Sequence, residues 1–224
     1  MAKKSTANAP RKTAAKPGML GAGGRATGKE STGHMERRAA CKVLVGNPDD
    51  FLFIGGIASA KDDALWLAGG DVPHVFPLGG VMGAACAMGL GLALAQPDKR
   101  VMVMTGDGEL LMNSGTLATI GVLNPPNLSI IIIDNEHYGE TGFQPSHTGR
   151  GVDIAKIAEG SGIQAVRTVI EESELEDAAR VLRNSNGTSL VLLKCAATSP
   201  PKIPHSRNGN LQRTRFREGL GFKV

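Results

Sequence analysis

Residues 100–135 carry two apolar runs joined by an acidic, glycine-flanked turn and a helix-like stretch, and nothing else in the chain restricts its fold as much. Residues 100–104 form a short run with β-branched members, and Gly106-Asp107-Gly108 follows as a turn, so the run reads as a buried strand with Asp107 at its carboxyl end. Residues 109–122 place Leu110, Leu111, Leu117, Ala118 and Val122 on one face of an amphipathic helix. Pro125-Pro126 stop that helix, and residues 128–133 read as a second buried strand. Asp134-Asn135 then leave the second strand at the same sheet edge as Asp107, the edge where open α/β sheets bind ligands.

This order suits a phosphorylated ligand and its metal. The first amides of a helix point back at the turn before it and attract phosphate oxygens, and glycine lets such a ligand approach the backbone closely. Magnesium takes about six oxygen ligands, some from protein and the rest from phosphate and water. The Asp107 carboxylate, the Asn135 amide oxygen and the main-chain carbonyl of His137 would supply the protein's share.

At these positions the chain resembles the thiamin diphosphate enzymes, whose signature is a Gly-Asp-Gly turn and, after an interval like that of residues 109–134, an asparagine. The resemblance extends to residues 78–83, which look like the family segment holding the cofactor rings in a bent conformation. It implies that Met82 is the wedge under the bend and that the Gly80 carbonyl accepts from the aminopyrimidine. Met82 as ordinary core filler is the competing reading. Residues 138–145, with Tyr138, Gly139 and Glu140 at their head, resemble a stretch of the sulfopyruvate and phosphonopyruvate decarboxylases. The likeness runs from about Glu36 to Lys194.

By that resemblance the chain binds thiamin diphosphate and Mg2+ through Gly80, Met82, Gly106, Asp107, Gly108, Glu109, Asn135, Tyr138 and Gly139, with Asp107, Asn135 and the His137 carbonyl on the metal. Three residues depart from the pattern. Glu140 stands where a small hydroxyl residue is expected, and its carboxylate would repel a second anionic group on a substrate. His147 follows in a new context, and Glu109 puts a negative side chain at the diphosphate-binding helix start, where it must point away or be paired. His137, Tyr138, Glu140 and His147 are the candidates for lining the pocket or moving protons, and each serves equally well as a structural hydrogen-bonder.

The 224 residues, 41% of them apolar, suffice for one sizeable core. Residues 1–34 are basic and nearly free of large apolar side chains, so they read as a disordered tail, with a mitochondrial-type presequence as the rival. The net charge of +4 is concentrated at the two ends without interleaved aromatics, which favours solvated tails over nucleic-acid contact. Cys41, Cys86 and Cys195 lie far apart, so they are expected as reduced buried thiols in a cytoplasmic protein. No stretch approaches the length of a membrane span.

Strands alternating with helices predict an α/β fold, a doubly wound, mostly parallel sheet flanked by helices over residues 35–198. A helix is expected from residue 35 to 46, another beginning at Ser59 with Ser59 as its cap, and an acid-led helix over 171–184. Residues 199–224 read as a basic extension in which Arg207, Arg213, Arg215 and Arg217 are solvated or face another subunit. The chain beyond its basic tail amounts to about one domain, whereas the family's catalytic glutamate sits on a second domain of similar size. The expectation is therefore a diphosphate-binding subunit of a split 2-oxo acid decarboxylase, completed by an alpha subunit of the pyrimidine-binding type in a hetero-oligomer. An acetolactate-synthase-like carboligase subunit is the alternative within the enzymes, and a non-catalytic regulatory or nucleic-acid-binding protein the alternative outside them.

Overall fold

The computed structural model describes residues 32–223. The basic tail expected over residues 1–34 lies outside the described residues except for 32–34, where Thr32 donates to the Glu136 carboxylate.

In chain order the elements are α1 (Arg37–Val45), β1 (Phe51–Gly55), α2 (Ser59–Leu67), β2 (Val75–Pro77), α3 (Ala85–Ala95), β3 (Arg100–Gly106), α4 (Asp107–Leu111) and α5 (Thr116–Leu123). Then come β4 (Leu128–Asp134), the short pair β5 (His137–Tyr138) and β6 (Gln144–Pro145), α6 (Ile154–Gly160), β7 (Ala165–Val169), α7 (Leu175–Asn184), β8 (Ser189–Lys194) and α8 (Gly209–Gly219). Six strands form one sheet in the order β2-β1-β3-β4-β8-β7, and every pairing in it is parallel.

Why the central strands read as unbroken apolar runs is visible in β4. Ile131 and Ile133 face a core shared with α1, α2 and α7, while Ile130 and Ile132 face a second core shared with α3, α5, α6 and α8. Met102 and Met104 of β3 divide from Val101 and Val103 in the same way. A strand buried on both faces has no solvent side to mark with polar residues. Burying each such side chain contributes roughly 1.5–3 kcal/mol.

The strand order also places the site. From β1 the chain steps outward to the edge strand β2 and then returns to β3 on the other side of β1. The connections leaving β1 and β3 therefore diverge, and a crevice opens at the carboxyl ends of those strands.

Four local expectations change. The helix expected over 109–122 is two helices, α4 and α5, because Asn113, Ser114 and Gly115 favour turns over helix and Asn113 Nδ2 donates to the Gly83 carbonyl instead. Ser59 does not cap α2: it is the first helical residue, and Ala58 holds the cap position at φ 58° without a side-chain bond. The acid-led helix begins as a single turn over Glu172–Glu174, closed by reciprocal bonds of the Glu171 and Glu174 side chains, before α7 proper. Finally, the basic end is not wholly solvated. Helix α8 packs Phe216 edge-on against Phe76, ring centroids 5.5 Å apart, and Arg215 pairs with Asp71 at 3.0 Å. All three cysteines are buried, as expected, and Cys41 and Cys86 are free thiols.

Candidate functional site

A cleft of about 180 Å³ opens where β1, β3 and β4 end. Met82, Gly106, Asp107, Gly108, Glu109, Asn135, His137, Tyr138, Gly139 and Glu140 all line it, so nearly every residue singled out in the sequence meets in one place. Gly80 lies in an adjoining hollow that shares Ala58, Met82 and Glu140 with the cleft. His147 is absent from the cleft wall, but its Nδ1 lies 3.1 Å from the Tyr138 hydroxyl. Met82 is 61% exposed, which removes the core-filler reading.

Register explains the meeting. Gly106 pairs with Ile133 across β3 and β4, so Asp107 and Asp134 leave the sheet side by side, with Asn135 one step on. Thr148 bridges the two carboxylates, donating to Asp107 Oδ2 at 2.9 Å and lying 2.8 Å from Asp134 Oδ1; Ser146 also donates to Asp107 Oδ2. Asp134 Oδ2 is 2.8 Å from Lys194 Nζ, and the same ammonium reaches Glu136 Oε1 at 2.9 Å. Burial, then the neighbouring Asp134 charge, pushes the Asp107 carboxyl up to about 6. Asn135 Oδ1 accepts from the His137 amide at 3.1 Å, which folds the chain tightly after β4 and leaves the carbonyl a second lone pair.

This donor set fits a divalent cation. Asp107, Asp134 and Glu136 are each under 10% exposed, and among the described residues Lys194 is the cation in ion-pair contact with them. Buried charge must be compensated, and two negative charges here are not. One carboxylate, one amide and one carbonyl do not make a cage of His, Cys, Asp and Glu side chains; among the described residues no such group of three or more gathers.

The puzzle of Glu109 resolves as a clip. Its Oε2 accepts from the Ile57 amide at 2.9 Å and from Thr105 Oγ1 at 2.8 Å, so the side chain ties the exit of β1 to α4. Burial raises its pKa and those bonds oppose the rise. A Cβ at Gly56 would lie 2.1 Å from Glu109 Oε2, so only glycine admits the clip. Gly108 has a packing task as well as its place in the cleft wall. A Cβ there would meet Tyr138 Cε1 at 2.3 Å, so Gly108 makes room for that ring, whereas Gly106 faces open space.

Of the catalytic candidates, His137 Nδ1 lies 2.9 Å from the Asn135 carbonyl oxygen, and its ring centroid is 6.3 Å from that of Phe143. Glu140 is exposed at the rim, shared by the cleft and the hollow. Sequence reading missed Ser146, Thr148, Lys194 and Arg37. A hydroxyl pair forty residues from its carboxylate leaves no spacing signal, and Lys194 ends its strand like any solvated lysine. Arg37 is 3% exposed and lines the cleft from α1, beside Ser59 and Ala60 at the start of α2.

Comparison with known proteins agrees with this geometry. Residues 69–193, more than half of the chain, match the family model "Thiamine pyrophosphate enzyme, C-terminal TPP binding domain". Sulfopyruvate decarboxylase subunit beta of Methanocaldococcus jannaschii is 49% identical over 107 residues, covering 47% of this chain and 56% of that one. Sulfopyruvate decarboxylase of Methanosarcina acetivorans is 37% identical over 206 residues, covering 84% of this chain and 52% of that longer one. The chain thus spans about half the length of these curated relatives. An X-ray structure from Mycobacterium smegmatis, described as a thiamin diphosphate-dependent enzyme, superposes with a TM-score of 0.60 at 22% identity over 75% of this chain and 33% of its own, a likeness of fold. The chain belongs to the thiamine pyrophosphate enzymes, matching their C-terminal cofactor-binding domain.

Proposed function

We propose that this chain is the diphosphate- and magnesium-binding subunit of a thiamin diphosphate-dependent 2-oxo acid decarboxylase. The observation that carries the reading is the cleft itself, where Asp107 and Asn135 leave adjoining strands beside two uncompensated negative charges. Asp107, Asn135 and the His137 carbonyl would hold the metal, and Gly106 leaves the space a diphosphate needs. The cofactor supplies an electron sink for the cleaved carboxylate bond. The protein's part is to hold the diphosphate end rigidly, through the hydroxyl bridge at Thr148 and the Glu109 clip, with Met82 standing exposed where the rings would bend.

A second chain is part of the proposal. The glutamates in and behind the cleft wall are engaged, Glu109 in the wall with Ile57 and Thr105 and Glu136 behind it with Thr32 and Lys194, which leaves Glu140 at the rim. Relatives named as a beta subunit and a relative about twice the matched length both fit an enzyme whose other half is, for this chain, a separate pyrimidine-binding alpha chain. The proposed substrate is a short 2-oxo acid. The hollow beside Met82 carries Lys202 and Arg207, which would offset Glu140 for a substrate with a second anionic group.

Calorimetry of the purified chain with thiamin diphosphate tests the cofactor reading. Binding is expected only with Mg2+ and is expected to vanish in Asp107→Ala, which lacks the one charged metal ligand. Retained affinity in that variant would show that the metal is misplaced. Turnover of 2-oxo acids is expected only after the alpha chain is added, and a carbon–carbon bonded product would move the assignment to carboligation.

A further inference from the structure

Under the cleft floor lies a charge imbalance of the opposite sign. Arg37 and Arg38, 3% and 8% exposed, both turn to Asp63, which is fully buried. Arg37 Nε is 2.9 Å from Asp63 Oδ2 and Arg38 Nε is 2.9 Å from Asp63 Oδ1. Among the described residues Asp63 is the carboxylate in ion-pair range of these two guanidiniums, so one positive charge is left over.

The two arginines are not equivalent. Arg38 donates to the Pro201 carbonyl at 2.7 Å and lies over the Trp66 ring, so it is satisfied away from the cleft. Arg37 lines the cleft and is poorly bonded. Its Nη1 reaches the Thr198 carbonyl at 3.4 Å, its Nε is near Asp63 without hydrogen-bond alignment, and its Nη2 is buried with no partner. A buried guanidinium with an unused donor costs stability unless an anion compensates it. Beside it, α2 begins with no side-chain cap, and Ser59 and Ala60 of its first turn share the cleft wall. Free helix amides and an arginine fork favour the same ligand, a phosphate oxygen.

Resting on the cofactor assignment, we infer that Arg37 is an anion-binding residue of this cleft, contributing the positive charge that a diphosphate group requires beyond its divalent cation. A diphosphate ester carries more negative charge than one Mg2+ cancels, and Lys194 is already committed to Asp134 and Glu136. The surplus under the floor supplies the difference.

The test uses the full chain with Mg2+ and two probes, inorganic pyrophosphate and thiamin diphosphate, followed by calorimetry. Arg37→Met is expected to weaken Mg-pyrophosphate binding by at least about tenfold, and Arg37→Lys by less, because the charge remains without the fork. Arg38→Met breaks the same ion-pair cluster and is expected to stay within about threefold of wild type. Equal losses in Arg37→Met and Arg38→Met, or an Arg37→Met affinity within twofold of wild type, would overturn the inference. Should Arg37→Met fail to fold, guanidinium nitrogen resonances of the labelled wild-type chain decide: Mg-pyrophosphate must move those of Arg37 and leave Arg38 in place. Tight thiamin diphosphate binding with an unmoved Arg37 would sink the arginine alone. Pyrophosphate bound as tightly as thiamin diphosphate would sink the cofactor reading and leave the arginine, and binding of neither would sink both.

Discussion

At Gly108 one hydrogen atom separates a working cleft wall from a collision. All three residues of the Gly106-Asp107-Gly108 turn line the cleft, and Gly108 also yields space to the Tyr138 ring, which in turn meets His147. Gly108→Ala is expected to displace that ring and destabilise the chain by roughly 1–3 kcal/mol, the usual cost of overpacking. Urea unfolding measures the loss. Because Tyr138 is the single tyrosine, its ring resonances report the displacement directly. At this scale the sequence singled out residues that the fold brings into one cleft, as with Asp107, Asn135 and Met82. It was silent on Ser146 and Thr148, whose hydroxyls matter only because β5 and β6 fold the chain back over Asp107. Arg37 was equally hidden, since its burial depends on the packing of α1 against α7 and the sheet.

Among the elements, α8 and the turn before α7 show how a local rule and a distant contact each decide an outcome. Helix α8 comes from a stretch read as a solvated basic extension, because its apolar content is little more than Leu211, Phe216, Leu220 and Phe222. One aromatic contact with β2 and the pairing with Asp71, in the segment before that strand, fasten it, and no local pattern foretells either. Phe216→Ala is expected to cost about 3 kcal/mol and to release α8, seen as loss of amide protection in that helix by hydrogen exchange. The Glu171–Glu174 box is the contrasting case, legible as a run of acids at a helix start. Backbone amides of Glu171 and Ile170 hold the Glu174 carboxyl below its usual range. A depressed carboxylate stabilises the fold above its unfolded pKa and loses that contribution as pH falls through the folded one. The stability gap between wild type and Glu174→Gln should therefore be present near neutrality and shrink below about pH 4.

For the molecule as a whole, alternation of runs and breaks was enough to read a parallel doubly wound sheet. Strand order was not readable, because pairing partners are chosen by packing far along the chain. The outer surface holds a further feature that composition averages conceal. Helices α3 and α5 contain no charged residue, and Leu94, Val122 and Leu123 are 51%, 84% and 49% exposed. Apolar exposure on that scale favours association. The chain purified alone is expected to sediment as more than a monomer, and Leu94→Lys with Val122→Lys should shift it toward one; unchanged sedimentation would assign the association elsewhere.

Interleaving of strands sets a schedule for synthesis as well. Since β8 inserts between β4 and β7, the last strand in sequence fills an interior position of the sheet, and Lys194 arrives with it. A ribosome-bound chain that has finished β4 already exposes Asp134 but still lacks its counter-ion and one edge of its backbone ladder. Such late, non-local closure is slow and leaves nascent strands open to wrong partners. The acidic corner at Asp134 is therefore among the last parts of the nascent protein to mature, and chaperone dependence would be concentrated in the interval before residue 194 emerges.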